Sequence, residues 1–120
     1  MTASIIVYGI PNCDITKKAM TWLKQNNISF VFHDYKKEGI NIDKLNSWSA
    51  KSSWENLLNK RGTTWKSLES SVQEKITNQV TAVKLMSEHT SLIKRPVLEI
   101  NNDILIGFDE KLYKNKLLIS

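Results

Sequence analysis

Residues 4 to 8, Ser-Ile-Ile-Val-Tyr, make a short β-branched and aromatic run that stops at Gly9-Ile10-Pro11-Asn12, and helical periodicity begins directly after it. Between Asp14 and Asn26 the apolar residues Ile15, Ala19, Trp22 and Leu23 stand at i, i+4, i+7 and i+8, the spacing of one buried helix face, and Asn26-Asn27 closes the helix. Residues 28 to 35 turn strand-like again, with Phe30, Val31, Phe32 and Tyr35 giving apolar character to both faces, as expected where helices cover a parallel sheet. A strand, a helix and a second strand in this order commit the chain to a parallel pair joined by a right-handed crossover. That geometry places the turn before the helix at the carboxyl edge of the first strand.

The segment that follows reads differently. Asp43 to Ala50, Ser53 to Asn59, Trp65 to Leu68, Val72 to Thr77 and Ala82 to His89 look like short helices between polar turns, an all-helical insertion over about residues 40–92. Val97 to Ile100 is a strand, Asn101-Asn102-Asp103 a turn signal and Ile104 to Ile106 a second strand, so this pair predicts a hairpin. Gly107 stops it, and Asp109 heads a closing amphipathic helix to Lys116. The pattern predicts an α/β fold in one domain over residues 1–120, with Trp22, Trp48, Trp54 and Trp65 in the core.

A chain of 120 residues can bury roughly two-thirds of its extended surface, so it needs neither a disulfide framework nor a structural metal. It holds a single cysteine, Cys13, which forbids an intramolecular disulfide and any multi-cysteine metal site. His33 and His89 lie far apart with no paired carboxylates, so no metal site is expected. The formal net charge of +5 favours anionic partners through the long-range field. Its basic residues are scattered from Lys17 to Lys116 without aromatic interleaving, so nucleic-acid binding is not expected. No apolar run approaches the roughly 20 residues of a membrane-spanning helix, and no secretory signal is evident, so a cytoplasmic location away from membranes is expected. A phosphate-binding glycine loop and a Gly-x-Ser-x-Gly elbow are both absent.

Cys13 sits where a strand-ending turn meets the first turn of a helix. Unpaired backbone N–H groups and the helix dipole favour a thiolate there, and Lys17, one helical turn on, is expected to add to the effect. The plainer alternative is a small buried hydrophobe, but a core cysteine belongs in a periodic apolar segment rather than in a Pro-Asn-Cys-Asp turn. Arg95 stands directly before Pro96, at a bond that can be cis. Arg61, in Lys60-Arg61-Gly62-Thr63-Thr64, is the only other arginine in a lysine-rich chain. Both are ordinary surface cations on sequence alone, yet arginine's planar fork suits carboxylates and oxyanions better than lysine does.

Taken together, Tyr8-Gly9-Ile10-Pro11-Asn12-Cys13, Lys17-Lys18-Ala19, Phe32-His33-Asp34-Tyr35, Arg61-Gly62-Thr63-Thr64-Trp65 and Lys94-Arg95-Pro96 resemble, in order and spacing, the arsenate reductase (ArsC) family of the thioredoxin superfamily, and within it the YffB-like branch related to Spx. The resemblance covers essentially the whole chain. It implies a thioredoxin-like fold with a mixed four-stranded sheet, the helical insertion lying between the second and third strands, and a cis Pro96 facing the thiol. It also implies Cys13 as nucleophile, Arg61, Arg95 and Lys17 as anion-binding residues, and Pro96 and Asn12 as structural parts of the site.

The activity implied is that of a thiol-disulfide oxidoreductase. No bound cofactor is expected. The resemblance implies glutathione as reductant and glutathione or a glutaredoxin as partner, and a small anionic or disulfide substrate and a monomeric state are expected. Arsenate reductases carry a His-Asn pair where this chain has Gly9-Ile10, and a third arginine where it has Gly107-Phe108-Asp109, so little arsenate turnover is expected. Spx-type regulators, which bind RNA polymerase, use a Cys-x-x-Cys switch; here the second position is Thr16. A partner-binding role would therefore operate without that switch.

Overall fold

The first strand, β1 (Ile5–Gly9), occupies the middle of the sheet and organises everything around it. It pairs in parallel with β2 (Val31–Asp34) after the crossover helix α1 (Asp14–Gln25), and antiparallel with β3 (Val97–Ile100), which turns back into β4 (Asp103–Ile106). The strand order is β2-β1-β3-β4, a mixed four-stranded sheet of thioredoxin-like, α/β type. The computed structural model describes residues 4–118. These form two compact units, one made of residues 4–34 and 95–118 and the other of Tyr35–Lys94.

In the first unit, period-2 alternation sends Ile5 and Val7 of β1 and Leu98 and Ile100 of β3 to one face of the sheet. There they pack with Ala19, Trp22 and Leu23 of α1 and with Tyr113 of the last helix, which follows β4 and spans Glu110–Leu117. Tyr113 is the hinge of this cluster: its ring meets Trp22 and Phe108 edge-on at 5.6 and 4.9 Å, and its hydroxyl donates to the Gly107 carbonyl at 2.6 Å. Gly107 has φ +81°, a left-handed conformation that a side chain would strain, which is why the strand can stop there and the helix begin. Asp109 caps the helix, accepting from the Leu112 N–H at 3.1 Å as the sequence predicts.

The buried stripe of α1 is not the predicted one. Ile15 is 48% exposed, and its place is taken by Thr16, fully buried beside Ala19, Trp22 and Leu23. The reason lies in Gly9, where a Cβ would stand 2.7 Å from Thr16 Oγ1 and 2.9 Å from its Cγ2. The helix is therefore rotated to put a small branched polar residue against a strand residue that has no side chain. The strand predicted over 28–35 is also shorter. Asn27 adopts φ 58°, the Ile28 N–H donates back to Leu23, and pairing begins only at Val31, which is exposed because β2 lies at the sheet edge.

The second unit is helical throughout: α2 (Tyr35–Glu38), α3 (Ile42–Lys51), α4 (Trp54–Leu57), α5 (Thr63–Lys66), α6 (Ser70–Glu74), α7 (Gln79–Glu88) and a 3₁₀ turn (Thr90–Leu92), the Glu110–Leu117 helix being α8. It extends beyond the predicted 40–92 because Tyr35 leaves β2 directly into α2. It also starts α7 earlier than predicted, at a capping box in which Asn78 Oδ1 accepts from the Thr81 N–H at 3.0 Å. Gln79 Nε2 donates to Asn46 Oδ1 at 3.0 Å where α7 packs on α3, and Leu45, Trp48, Val83 and Met86 are buried. Trp54 and Trp65 are only half-buried, so two of the four tryptophans predicted for the core lie at its edge. Trp65 instead carries the Lys60 ammonium 5.3 Å from its ring centre. Among the described residues no helix is long and apolar enough to cross a membrane.

The tight Gly9–Thr16 contact yields a stability test. Gly9→Ala is expected to destabilise the protein by about 1–3 kcal/mol, the usual cost of overpacking. Adding Thr16→Ala, which removes both close atoms, should recover about 1 kcal/mol or more of that loss in a double-mutant cycle read by urea denaturation.

Candidate thiol site at the head of the first helix

Cys13 is the N-cap residue of α1, with extended backbone (φ −97°, ψ 122°). Its N–H donates to the Ile10 carbonyl at 3.3 Å, closing the turn, and its own carbonyl accepts from the Lys17 N–H at 3.0 Å, opening the helix. A cap side chain ordinarily supplies an oxygen to the N–H groups two and three residues on. Here the cap is a sulfur, and the positions served are Ile15 and Thr16. No cap hydrogen bond of full geometry forms, yet both N–H groups act on the sulfur through their partial charge.

Partial burial of the thiol alone would push its pKa up. Donation from the Thr16 hydroxyl and N–H, from the Arg95 side chain and from the Ile15 N–H opposes it, and the net result lies below the ordinary cysteine value. The Thr16 hydroxyl is fully sealed from solvent and makes no hydrogen bond of full geometry; its effect on the Cys13 sulfur is electrostatic and favours the thiolate. Thr16 was visible in the sequence only as the residue standing in place of a second cysteine. The signal for its role was its spacing, three residues after a cap residue, where side chain and N–H both turn back toward the cap.

Arg95, half-buried, reaches the same sulfur from the far end of the chain. Its bond to Pro96 is cis, as the resemblance implies, and Pro96 is buried, its carbonyl accepting from the Gly107 N–H at 2.7 Å. Cys13, Thr16, Arg95 and Pro96 thus belong to one unit of the fold.

Three other residues singled out in the sequence stand differently. Lys17 is exposed and is not among the groups acting on the thiol, because its side chain leaves along the flank of α1. Asn12 is exposed, and its side chain makes no hydrogen bond among the described residues; the turn is held by backbone instead. Arg61 belongs to the second unit, where it is an exposed cation whose N–H donates to Asn59 Oδ1 at 3.1 Å.

On the opposite sheet face, Tyr8 donates to Glu99 Oε1 at 3.2 Å and its ring lies 4.7 Å from that of His33. Burial, with the Glu99 charge and hydrogen bond adding to it, pushes the Tyr8 phenol up, so it stays protonated and serves as a cross-strand tie. Among the described residues no group of three His, Cys, Asp or Glu side chains is placed to hold a metal ion.

The chain is similar to known proteins along most of its length. An uncharacterized protein of Haemophilus influenzae is 41% identical over 110 residues, covering 92% of this chain and 96% of that one. The solved structure of a YffB protein superposes with a TM-score of 0.91 at 39% identity, covering 95% of this chain and 99% of that one. Global transcriptional regulator Spx 2 of Bacillus anthracis is 25% identical over 109 residues, 89% of this chain and 82% of its own. The sequence pattern of the ArsC family matches residues 8–115. That match runs from the end of β1, through the thiol turn and the whole helical insert, into α8, and on this ground the chain belongs to the ArsC family.

Proposed function

We propose that the chain is a thiol-disulfide oxidoreductase in which Cys13 is the nucleophile and glutathione the reductant. The observation that carries this reading is the placement of a part-exposed free cysteine at the N-cap of α1, in the same unit as the buried Thr16 and the cis Arg95–Pro96 bond, where Thr16, the Arg95 side chain and the Ile15 N–H all favour its thiolate. Such an arrangement has little structural purpose and serves a thiolate.

The chemistry that fits is exchange in two displacements. The Cys13 thiolate attacks the glutathione sulfur of a mixed disulfide, the sulfur–sulfur bond breaks, and the other thiol departs with the electron pair and takes a proton from water. Cys13 now holds glutathione. A second glutathione thiolate attacks the sulfur of that bound glutathione, releasing glutathione disulfide and returning the Cys13 thiolate. The mixed disulfide is reduced to its free thiol at the expense of one glutathione thiol, and the glutathione disulfide that leaves carries the unit taken from the substrate, with no second protein cysteine required. In both displacements charge spreads along a line of three sulfurs, which the Arg95 cation stabilises, while Thr16 holds the thiolate at the start of the first step and the end of the second.

A second reading, a partner-binding protein without turnover, has the similarity to Spx 2 in its favour. Intact-mass measurement after exposure to glutathione disulfide separates the two. A single glutathione adduct, absent in Cys13→Ser, is expected; no adduct would overturn the oxidoreductase reading and leave partner binding.

The pH dependence has a definite sign. Thr16 and Arg95 favour the anion, so removing either raises the thiol pKa, and the pH profile of iodoacetamide alkylation should move upward in Thr16→Val and in Arg95→Gln relative to the parent. A profile unmoved in both variants would show that neither group acts on the sulfur.

Arsenate is expected to be a poor substrate. A compact oxyanion accepting the thiolate needs several converging donors, and each donor missing at such a site typically costs on the order of a hundredfold in rate. In a glutathione-coupled assay run beside a small disulfide, arsenate turnover should be near the Cys13→Ser blank. Robust turnover would place the chain among the arsenate reductases proper.

A further inference from the structure

One flank of α1 borders an open surface groove of about 500 Å³, whose other side is formed by Phe108 and by Glu110 at the start of α8. Its α1 wall carries Asp14, Lys17 and Lys18, so four charges, two of each sign, line one hollow whose floor is aromatic. Opposite charges three or four residues apart on a helix, as Asp14 is from Lys17 and Lys18, are placed to pair. Among the described residues, none of these four forms an ion pair, although Lys116 and Asp103 do so elsewhere in the same unit. A groove presenting separated cations and anions is complementary to a ligand that carries both charges itself, such as the ammonium and carboxylate of an amino-acid head group.

The position of this hollow relative to the thiol narrows the ligand further. Asp14 is the residue after Cys13, and the Lys17 N–H donates to the Cys13 carbonyl at 3.0 Å, so the groove's lining begins one residue beyond the cysteine, on the first turn of α1. Lys18 lies five residues along the helix, about 7.5 Å at 1.5 Å per residue. In glutathione the zwitterionic head sits at the end of the γ-glutamyl arm, about two residues' length of extended chain from the sulfur, or roughly 7 Å.

We infer that this groove seats the γ-glutamyl head of the glutathione bonded to Cys13, its carboxylate toward Lys17 and Lys18 and its ammonium toward Asp14 and Glu110. The inference rests on the glutathione reading above and deepens it by naming the specificity surface. Lys18 and Glu110 are binding residues in this scheme, not catalytic ones, and Phe108 offers the arm an apolar wall.

The test compares rates of mixed-disulfide formation at Cys13, followed by intact mass, for glutathione disulfide, γ-glutamylcysteine disulfide, cysteinylglycine disulfide and bis(2-hydroxyethyl) disulfide. The first two keep the γ-glutamyl head and should react about fivefold or more faster than cysteinylglycine disulfide, in proportion to two partly exposed charge contacts. In Lys18→Gln and Glu110→Gln the ratio of glutathione disulfide to bis(2-hydroxyethyl) disulfide rates should fall about two- to fivefold, and Lys18→Arg should restore it. A ratio is read because loss of folded protein or a change in the thiol itself moves both rates together. Cysteinylglycine disulfide reacting as fast as glutathione disulfide, or ratios unchanged in both charge-removing variants, would overturn the γ-glutamyl seat while leaving Cys13 as the nucleophile. No adduct from any of the four disulfides would overturn the oxidoreductase reading itself.

Discussion

The head of α1 depends on the approach of the Thr16 side chain to the backbone of Gly9. Only a residue without a Cβ leaves room for that approach, since a methyl group there would fall 2.7 Å from the threonine oxygen. The close packing buries the Thr16 hydroxyl completely and denies it water. A buried hydroxyl with no acceptor costs about 1–3 kcal/mol, and the nearest remedy is the sulfur at the helix cap, a better acceptor as thiolate than as thiol. The fit of strand on helix and the acidity of the thiol are therefore one constraint rather than two.

Sheet register supplies the rest of the site. Val97 of β3 stands opposite Tyr8 of β1 in an antiparallel pair, so the chain just before Val97 runs past Gly9 and on toward the cysteine turn. Residues 95 and 96 are thereby delivered to the carboxyl end of the central strand, where α1 begins. Pro96 can stand at that point because it precedes the strand and owes no ladder hydrogen bond. The Arg95 side chain then reaches a sulfur that is distant in sequence and adjacent in space. An arginine on any interior residue of β3 would point to one face or the other of the sheet, not to its end.

Much of this was legible in the chain itself. The strand–helix–strand opening, the helical insertion, the closing hairpin and the Asp109 cap all follow from short-range periodicity and turn residues, and the cysteine turn marks itself by being polar where a core cysteine would not be. What periodicity could not show was rotation. Ile15 and Thr16 both fit a helix, and which of them faces inward was settled by a glycine on a different element. Val31 looks like a buried strand residue until the strand order puts β2 at the sheet edge. Lys17 is near the thiol in sequence, but its long side chain leaves along the helix flank, so nearness along the chain overstated its influence on the sulfur, whereas Arg95's influence could not be read from sequence distance at all.

The balance struck at Cys13 matters as much as its direction. Burial opposes the thiolate and the donors around it favour it, so the acidity of the sulfur is set by two opposed effects. That opposition is useful chemically. A thiol made too acidic is always ionised but becomes a weaker nucleophile, and the fastest attack comes from a thiol whose pKa lies near the ambient pH. Acidity also makes Cys13 the better leaving group when it must be released from a mixed disulfide. In the exchange proposed for it, and with no second cysteine in the chain, that release requires a thiol arriving from solution, which a fully buried sulfur would not admit. Half-burial at an N-cap, with one sealed hydroxyl beneath and one cation beside it, meets both demands: it keeps the thiolate held and leaves it open to an incoming sulfur.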